Sequence, residues 1–334
     1  MQLMNAFGPK VKHTLVSGMP DQMAARELID PQINVAYPSN FPILSGRPTP
    51  RRLAGLARAL QGYDLILTYN WGAMDAVMAR AAFGSRFNLP PLIHHEDGFN
   101  QDEADGLKPS RNWFRRAALR AAHALGVPSG VLEDIACTAW RQPARRVGRI
   151  PNGIDTAAFA EAPDPSALPF AKGSQERWVG TLAGLRPVKQ LPALVEAFQR
   201  LPDNWRLVIA GEGPERADIL ATATRLGCAD RVHLPGAVAD PAKVVGLFDI
   251  FALSSHSEQF PLSVVEAMAA GLPVVSPEVG DVASIVAAQN ADFVTPRGDI
   301  DALGAALASL AMDEDRRSAI GAANRRKAVE LFDK

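Results

Sequence analysis

The chain has 334 residues, 47% of them hydrophobic, which is enough for about two domains with separate cores. The 35 Lys and Arg residues against 36 Asp and Glu leave a net charge of −1, so no overall field argues for nucleic acid. Two cysteines, Cys137 and Cys228, cannot build a disulfide scaffold and fit a reduced compartment.

The opening MQLMNAFGPKVKHT has neither an apolar core nor a cleavage pattern, and no run approaches the roughly 20 apolar residues of a membrane span. A cytoplasmic protein without a signal peptide is the expectation. A helix is predicted over 51–62 and a strand over 64–69, so Asn70 and Trp71 fall at the strand's carboxyl edge. A second strand over 91–95 runs into an acidic, Gly-containing loop that ends at 105. It carries His94 and His95. Strand alternation turns one inward and the other outward, without saying which. A zinc site from this pair with Glu96 and Asp97 is disfavoured, because neighbours in a strand point apart and no HExxH spacing is present. A helix over 111–125 follows. Lys108, Arg111, Arg115, Arg116 and Arg120 cluster there around Trp113, Phe114 and Leu119. This basic 108–120 segment suits peripheral contact with an anionic membrane, although such a face is more often simply solvated.

A Pro- and Gly-punctuated stretch over 149–175 reads as a linker, dividing the chain into domains at 1–150 and 151–334. Beyond it, RWVGTL, RLVIAGEGP, VHLPG, DIFALSS and LPVVSP read as strands, and 191–201, 214–226, 261–270 and 301–310 as helices. The alternation predicts an α/β protein of two parallel-sheet domains facing a cleft, with ligand beyond the strands' carboxyl ends.

The stretch SSHSEQFPLSVVEAMAAG, residues 254–271, concentrates the chemistry. Pro261 suits a first helical turn, and Gly271 followed by Pro273 suits a stop. The first-turn amides of Leu262, Ser263 and Val264, with the helix dipole, favour an anion such as phosphate. Leu262, Val265, Glu266 and Ala269 share one face, so Glu266 sits beside the packing stripe and needs donors, such as the vicinal hydroxyls of a ribose. Glu258 lies in the loop before the helix, where sugar hydroxyls are suitable partners. Alone, two glutamates near a helix start are weak evidence, since they often only complement its dipole.

The spacing E-x7-E followed by AMAAGLPVV resembles the donor-site signature of retaining glycosyltransferases of family 4. PNGID (151–155), VGTLAGLRPVKQLPALVEAF (179–198), LVIAGEGP (207–214) and VHLPG (232–236) resemble further family motifs in the family's order. The resemblance implies a GT-B fold of two Rossmann-like domains and transfer of a sugar from a nucleoside-diphosphate sugar. The acceptor would be a glycan or a lipid-linked hydroxyl, as in cell-envelope polysaccharide synthesis. By the same resemblance Glu266 binds the ribose and Glu258 the transferred sugar. The amides of Phe260 and Leu262 hold the distal phosphate, and Lys189 the diphosphate. Arg186 stands in for an arginine that the family places where this chain has Gly184. Gly211 and Gly213 belong to the donor loop, and His94 or His95 faces the reacting sugar. No Asp-x-Asp stands near the donor motif, so neither metal nor cofactor is expected.

The chain departs from the family pattern at Gln259 and Pro261, where glycines are usual. Its start resembles the helix that follows the family's first strand and Gly-rich loop, so that element is expected to be absent, and the chain ends at VELFDK. Three other readings compete: a non-catalytic nucleotide-sugar-binding remnant, a glycoside hydrolase using Glu258 and Glu266, and a nicotinamide dehydrogenase. The last is disfavoured because GEGPE lacks GxGxxG.

Overall fold

The structure is a computed structural model that describes residues 1–19, 23–99, 101–103 and 106–334. Asn100, Ala104 and Asp105 of the acidic loop therefore lie outside the described residues. The chain separates into two compact units. The first holds Met1–Phe99, Leu107–Val127 and Glu133–Arg149; the second is built on Ile150–Lys334, with Pro128–Leu132.

The first unit opens with a helix, Gln2–Phe7, and two short parallel strands, β1 (His13–Thr14) and β2 (Val35–Ala36), that among the described residues pair only with each other. Its main sheet is parallel, in the order β3 (Ile66–Tyr69), β4 (Leu92–His95), β5 (Ala124–Val127) and β6 (Val147–Arg149). Helices Pro50–Ala59, Met74–Phe83 and Pro109–Leu119 accompany it. Thr49 and Pro50 start the first of these as a side-chain cap and a first-turn proline.

The second unit carries a six-stranded parallel sheet formed by β7 (Arg177–Leu182), β8 (Trp205–Ala210), β9 (Val232–Gly236), β10 (Ile250–Ala252), β11 (Val274–Pro277) and β12 (Val294–Thr295). The spatial order is β12-β11-β10-β7-β8-β9. The chain thus runs outward from β7 to β9, returns to place β10 on the other side of β7, and runs outward again. That reversal makes the gap between the ends of β7 and β10 the topological switch point, where an open parallel sheet leaves room for a ligand.

Alternation puts one core on each face of this sheet. Trp178, Val208 and Phe251 join one buried cluster, while their neighbours Val179, Leu207, Ile209, Ile250 and Ala252 join the other. Helix Leu262–Ala269 seals the first cluster through Val264, Val265 and Met268.

Two expectations about elements are corrected. The helix predicted over 111–125 ends at Leu119, and Ala124–Val127 is strand β5. The Ala- and Leu-rich run has no period that separates a buried parallel strand from a helix. The 149–175 stretch is not a free linker. It holds a helix, Thr156–Ala160, and its apolar Ile154, Phe159, Leu168 and Phe170 pack on the second unit's core. PNGID ties that unit's start to its end. Ile154 N–H donates to Phe332 O at 2.9 Å, and Thr156 donates from N–H and Oγ1 to Asp333 at 3.1 and 2.6 Å. These bonds hold the Asp333 carboxyl below the usual carboxylate range.

Candidate functional site

The loops that leave β7 and β10 meet at the switch point. After β7 the chain passes Gly184 and Arg186, makes a tight turn over Pro187–Lys189, and reaches Gln190 in left-handed backbone (φ 47). A non-glycine residue there is an observed strain, of the kind that clusters at functional sites. The turn is held by β10's loop: Ser254 Oγ donates to Lys189 O at 2.8 Å, and His256 N–H donates to Val188 O at 2.8 Å. Lys189 Nζ then lies 2.5 Å from Glu258 Oε1, which also accepts from Ser255 Oγ at 2.7 Å. The structure thus joins two residues 69 apart in sequence that the family resemblance assigns to different parts of a ligand. The pair retains side-chain exposures of 17% and 13%, so a ligand can reach both groups.

The helix after Glu258 spans Leu262–Ala269, with Pro261 as its N-cap. Val264 N–H is occupied by Pro261 O at 3.0 Å, which removes it from the expected set of free amides. The N–H groups of Leu262 and Ser263 have no hydrogen-bond partner among the described residues. Leu262 is 40% exposed and does not share Val265's buried environment, whereas Glu266, one turn on, is half-buried. No described side chain or backbone group hydrogen-bonds the Glu266 carboxylate, and burial pushes its carboxyl up from the glutamate range. A carboxylate taken partly out of water with no donor is a vacancy for one. Phe260 packs edge-on against Phe332 with ring centroids 5.6 Å apart, which anchors the start of the helix.

Gly211 and Gly213 follow β8 at φ 152 and 156. A Cβ on Gly211 would sit 1.8 Å from Ala183 O, and one on Gly213 would sit 2.4 Å from Leu185 O. Both glycines therefore let β8's loop press on the loop carrying Arg186. Gly280, after β11, does the same for the Glu258 loop: at φ 53 its Cβ would lie 2.5 Å from Gln259 O. Arg186 is exposed and makes no ion pair among the described residues. Sequence reasoning missed Ser255 and Gly280. The hydroxyl three residues before Glu258, at a strand end, was the available signal for Ser255; Gly280 had none.

In the first unit, alternation along β4 resolves the histidine pair. His94 is fully buried, with Nδ1 2.9 Å from Thr68 Oγ1 and Nε2 3.6 Å from Glu96 Oε2. It has no surface to offer a sugar, which corrects its candidacy. His95 is half-buried and stacks on Tyr69 with ring centroids 4.8 Å apart. A Cβ on Gly126 would sit 2.9 Å from its Nδ1, so that glycine makes the room. Burial lowers the His95 pKa, with Asp97 opposing, and this favours the neutral ring. Burial raises the carboxyl of Asp97 and the phenol of Tyr69.

The basic helix is also revised. Arg115 is fully buried: Nε donates to the equally buried Glu96 at 3.0 Å, and Trp71, Phe99 and Trp140 surround the guanidinium with ring centroids at 4.9, 5.2 and 5.1 Å. Leu119 is buried as well, and Trp71 is a packing residue in contact with Arg111 and Phe114. Among the described residues no group of three or more His, Cys, Asp or Glu is arranged to hold a metal, and no helix is long and apolar enough to cross a membrane.

Two family models match in succession. Residues 3–158 match Glycosyltransferase Family 4, and residues 169–327 match Glycosyl transferases group 1. The chain belongs to glycosyltransferase family 4. It is 24% identical over 264 residues to N-acetyl-alpha-D-glucosaminyl L-malate synthase of Bacillus anthracis, covering 78% of this chain and 68% of that one. It is 32% identical over 200 residues to the GDP-mannose-dependent alpha-(1-6)-phosphatidylinositol monomannoside mannosyltransferase of Mycobacterium tuberculosis H37Rv, covering 55% and 51%. The chain thus spans between about half and two thirds of these curated relatives. Among solved structures, Anabaena Alr3699/HepE in complex with UDP superposes at a TM-score of 0.75, with 22% identity over 90% of this chain and 83% of that one. Sucrose-phosphate synthase of Thermosynechococcus elongatus gives 0.72, with 22% identity over 91% and 80%. These likenesses establish the fold as GT-B, with each unit a Rossmann-like parallel sheet.

Proposed function

We propose that the protein transfers a sugar, with retention of anomeric configuration, from a nucleoside-diphosphate sugar to a hydroxyl of a glycan or lipid-linked acceptor, without a metal or other cofactor. The observation that carries this reading is the convergence at the switch point of a half-open Lys189–Glu258 pair, two unoccupied amides and an unpartnered Glu266. Each group answers one part of such a donor. Lys189 and the amides of Leu262 and Ser263 take the diphosphate, with Arg186 at its exposed edge. Glu266 accepts from ribose hydroxyls. Glu258, held by Ser255 after Lys189 turns to phosphate, accepts from the transferred sugar. The Phe260 amide, also without a hydrogen-bond partner among the described residues, joins those of Leu262 and Ser263 at the distal phosphate while its ring anchors the helix on Phe332, and Gly211 and Gly213 shape the adjoining loop.

In the proposed reaction the bond from the anomeric carbon to the diphosphate oxygen breaks and the acceptor oxygen bonds to the same face. The acceptor proton passes to the leaving phosphate oxygen. Lys189 neutralises the charge that builds on the diphosphate. A glycoside hydrolase does not need a cation bonded to one of its carboxylates, as Lys189 is to Glu258.

A panel of UDP-, GDP- and ADP-sugars tests this through thermal stabilisation and product formation. One donor is expected to stabilise the wild type and much less the Glu266→Ala variant, and to be consumed when an acceptor is present. Equal stabilisation of both proteins contradicts the ribose assignment. Binding without transfer identifies a nucleotide-sugar-binding remnant.

A further inference from the structure

The first unit carries a concentration of arginine that the donor site does not use. By 3.6-residue spacing, Trp113, Arg116 and Arg120 lie on one face of the Pro109–Leu119 helix and its continuation. Trp113 is 74% exposed, which is unusual for the largest apolar side chain. Two hydrogen bonds lay the 140–146 segment along that helix. Trp140 Nε1 donates to Asn112 Oδ1 at 3.0 Å, and Arg146 Nη1 donates to Arg120 O at 3.0 Å. Asn112 and Arg120 are two turns apart, so the segment tracks the helix for about 12 Å. It adds Arg141 and Arg145, both exposed, and Arg146. None of Arg116, Arg120, Arg141, Arg145 and Arg146 has an ion-pair partner among the described residues. Of the acidic groups on the Gly130–Thr138 helix, Glu133 is drawn to Arg149 at 3.6 Å. Five unneutralised guanidinium groups thus gather in a chain whose net charge is −1.

We propose that Trp113, Arg116, Arg120, Arg145 and Arg146 form a docking surface for anionic phospholipid headgroups, with the Trp113 indole entering the interface. Arginines alone fit any polyanion. The exposed indole selects a lipid surface, because its apolar body and polar N–H suit the headgroup boundary and gain little from a soluble glycan. Each arginine near an anionic leaflet is worth roughly a fivefold factor in partitioning, so the cluster suffices for reversible attachment without a membrane-spanning helix. The inference gives the proposed lipid-linked acceptor a place to be met, but vesicle binding requires neither donor nor acceptor. It can therefore fail while the transferase reading stands, and the reverse also holds.

The test is co-sedimentation of the full chain with phosphatidylglycerol–phosphatidylcholine vesicles and with pure phosphatidylcholine vesicles. Binding is expected to the anionic vesicles only, and to fall steeply with added salt. The Arg120→Glu/Arg145→Glu double variant should lower the partition coefficient more than about tenfold, with thermal unfolding unchanged. Trp113→Ala should weaken binding at every salt concentration. Equal partition of wild type and variants, or no preference for anionic vesicles, overturns the proposal. Capture on dextran sulfate without vesicle binding, insensitive to Trp113→Ala, also overturns it and assigns the arginines to a soluble polyanion.

Discussion

Both units place an acidic and a basic side chain together near the carboxyl ends of their strands, and they use the pair in opposite ways. In the first, Glu96 follows β4 and meets Arg115 at 3.0 Å, both fully enclosed, with three aromatic rings around the guanidinium. In the second, Lys189 meets Glu258 at 2.5 Å but each keeps a face toward solvent, and Glu266 nearby has no partner. An enclosed pair cannot exchange partners without disrupting its surroundings, so it holds together Trp71, Phe99 and Trp140 around it. A half-open pair can trade one contact for a ligand's. The lesson is that the pairing of charges does not mark a site; what marks it is the capacity left unused beside the pair.

Breaking the enclosed pair should have the largest effect. Arg115→Ala leaves Glu96 buried and empties the aromatic box, so a loss of about 3–5 kcal/mol in denaturant unfolding is expected. Lys189→Ala should lower kcat about 10²–10³-fold while shifting unfolding far less than Arg115→Ala does. If the two variants are equally destabilised, the contrast between the units is wrong. Glu266→Gln keeps shape but loses the charge-assisted bonds, and should weaken donor binding, measured by calorimetric titration, about tenfold or more.

The smallest effect is in the pH dependence of stability. The folded-state pKa of Glu266 is raised, so the folded protein holds that proton above the pH at which the unfolded chain releases it. The associated stability is present in acid and is lost as pH rises through the raised value. Ligand-free Glu266→Gln should therefore gain slightly in stability over wild type as pH rises from about 4 towards 7, a trend that thermal melts across that range would detect.

Much of the second unit was legible. Its strands are short apolar runs between turn signals, and the helix at 262–269 is bounded by proline and glycine. The contact between Lys189 and Glu258 was not, because it depends on β10 returning beside β7, and no local pattern reports strand order. Charge read as surface failed at Arg115, where three aromatic side chains distant in sequence supply the enclosure. The histidine pair needed a register that only the neighbouring strand provides: His94 faces Thr68 and the core, while His95 lies over Tyr69.

The central claim is that Lys189 exchanges Glu258 for the diphosphate of a nucleotide sugar. A crystal structure of the donor-bound protein tests it most directly. The expected result is a phosphate oxygen at hydrogen-bond distance from Lys189 Nζ, Glu258 still on Ser255 but bonded to a sugar hydroxyl, and Glu266 on the ribose. A donor bound elsewhere, with the 2.5 Å Lys189–Glu258 contact intact and Glu266 still without a partner, would contradict it.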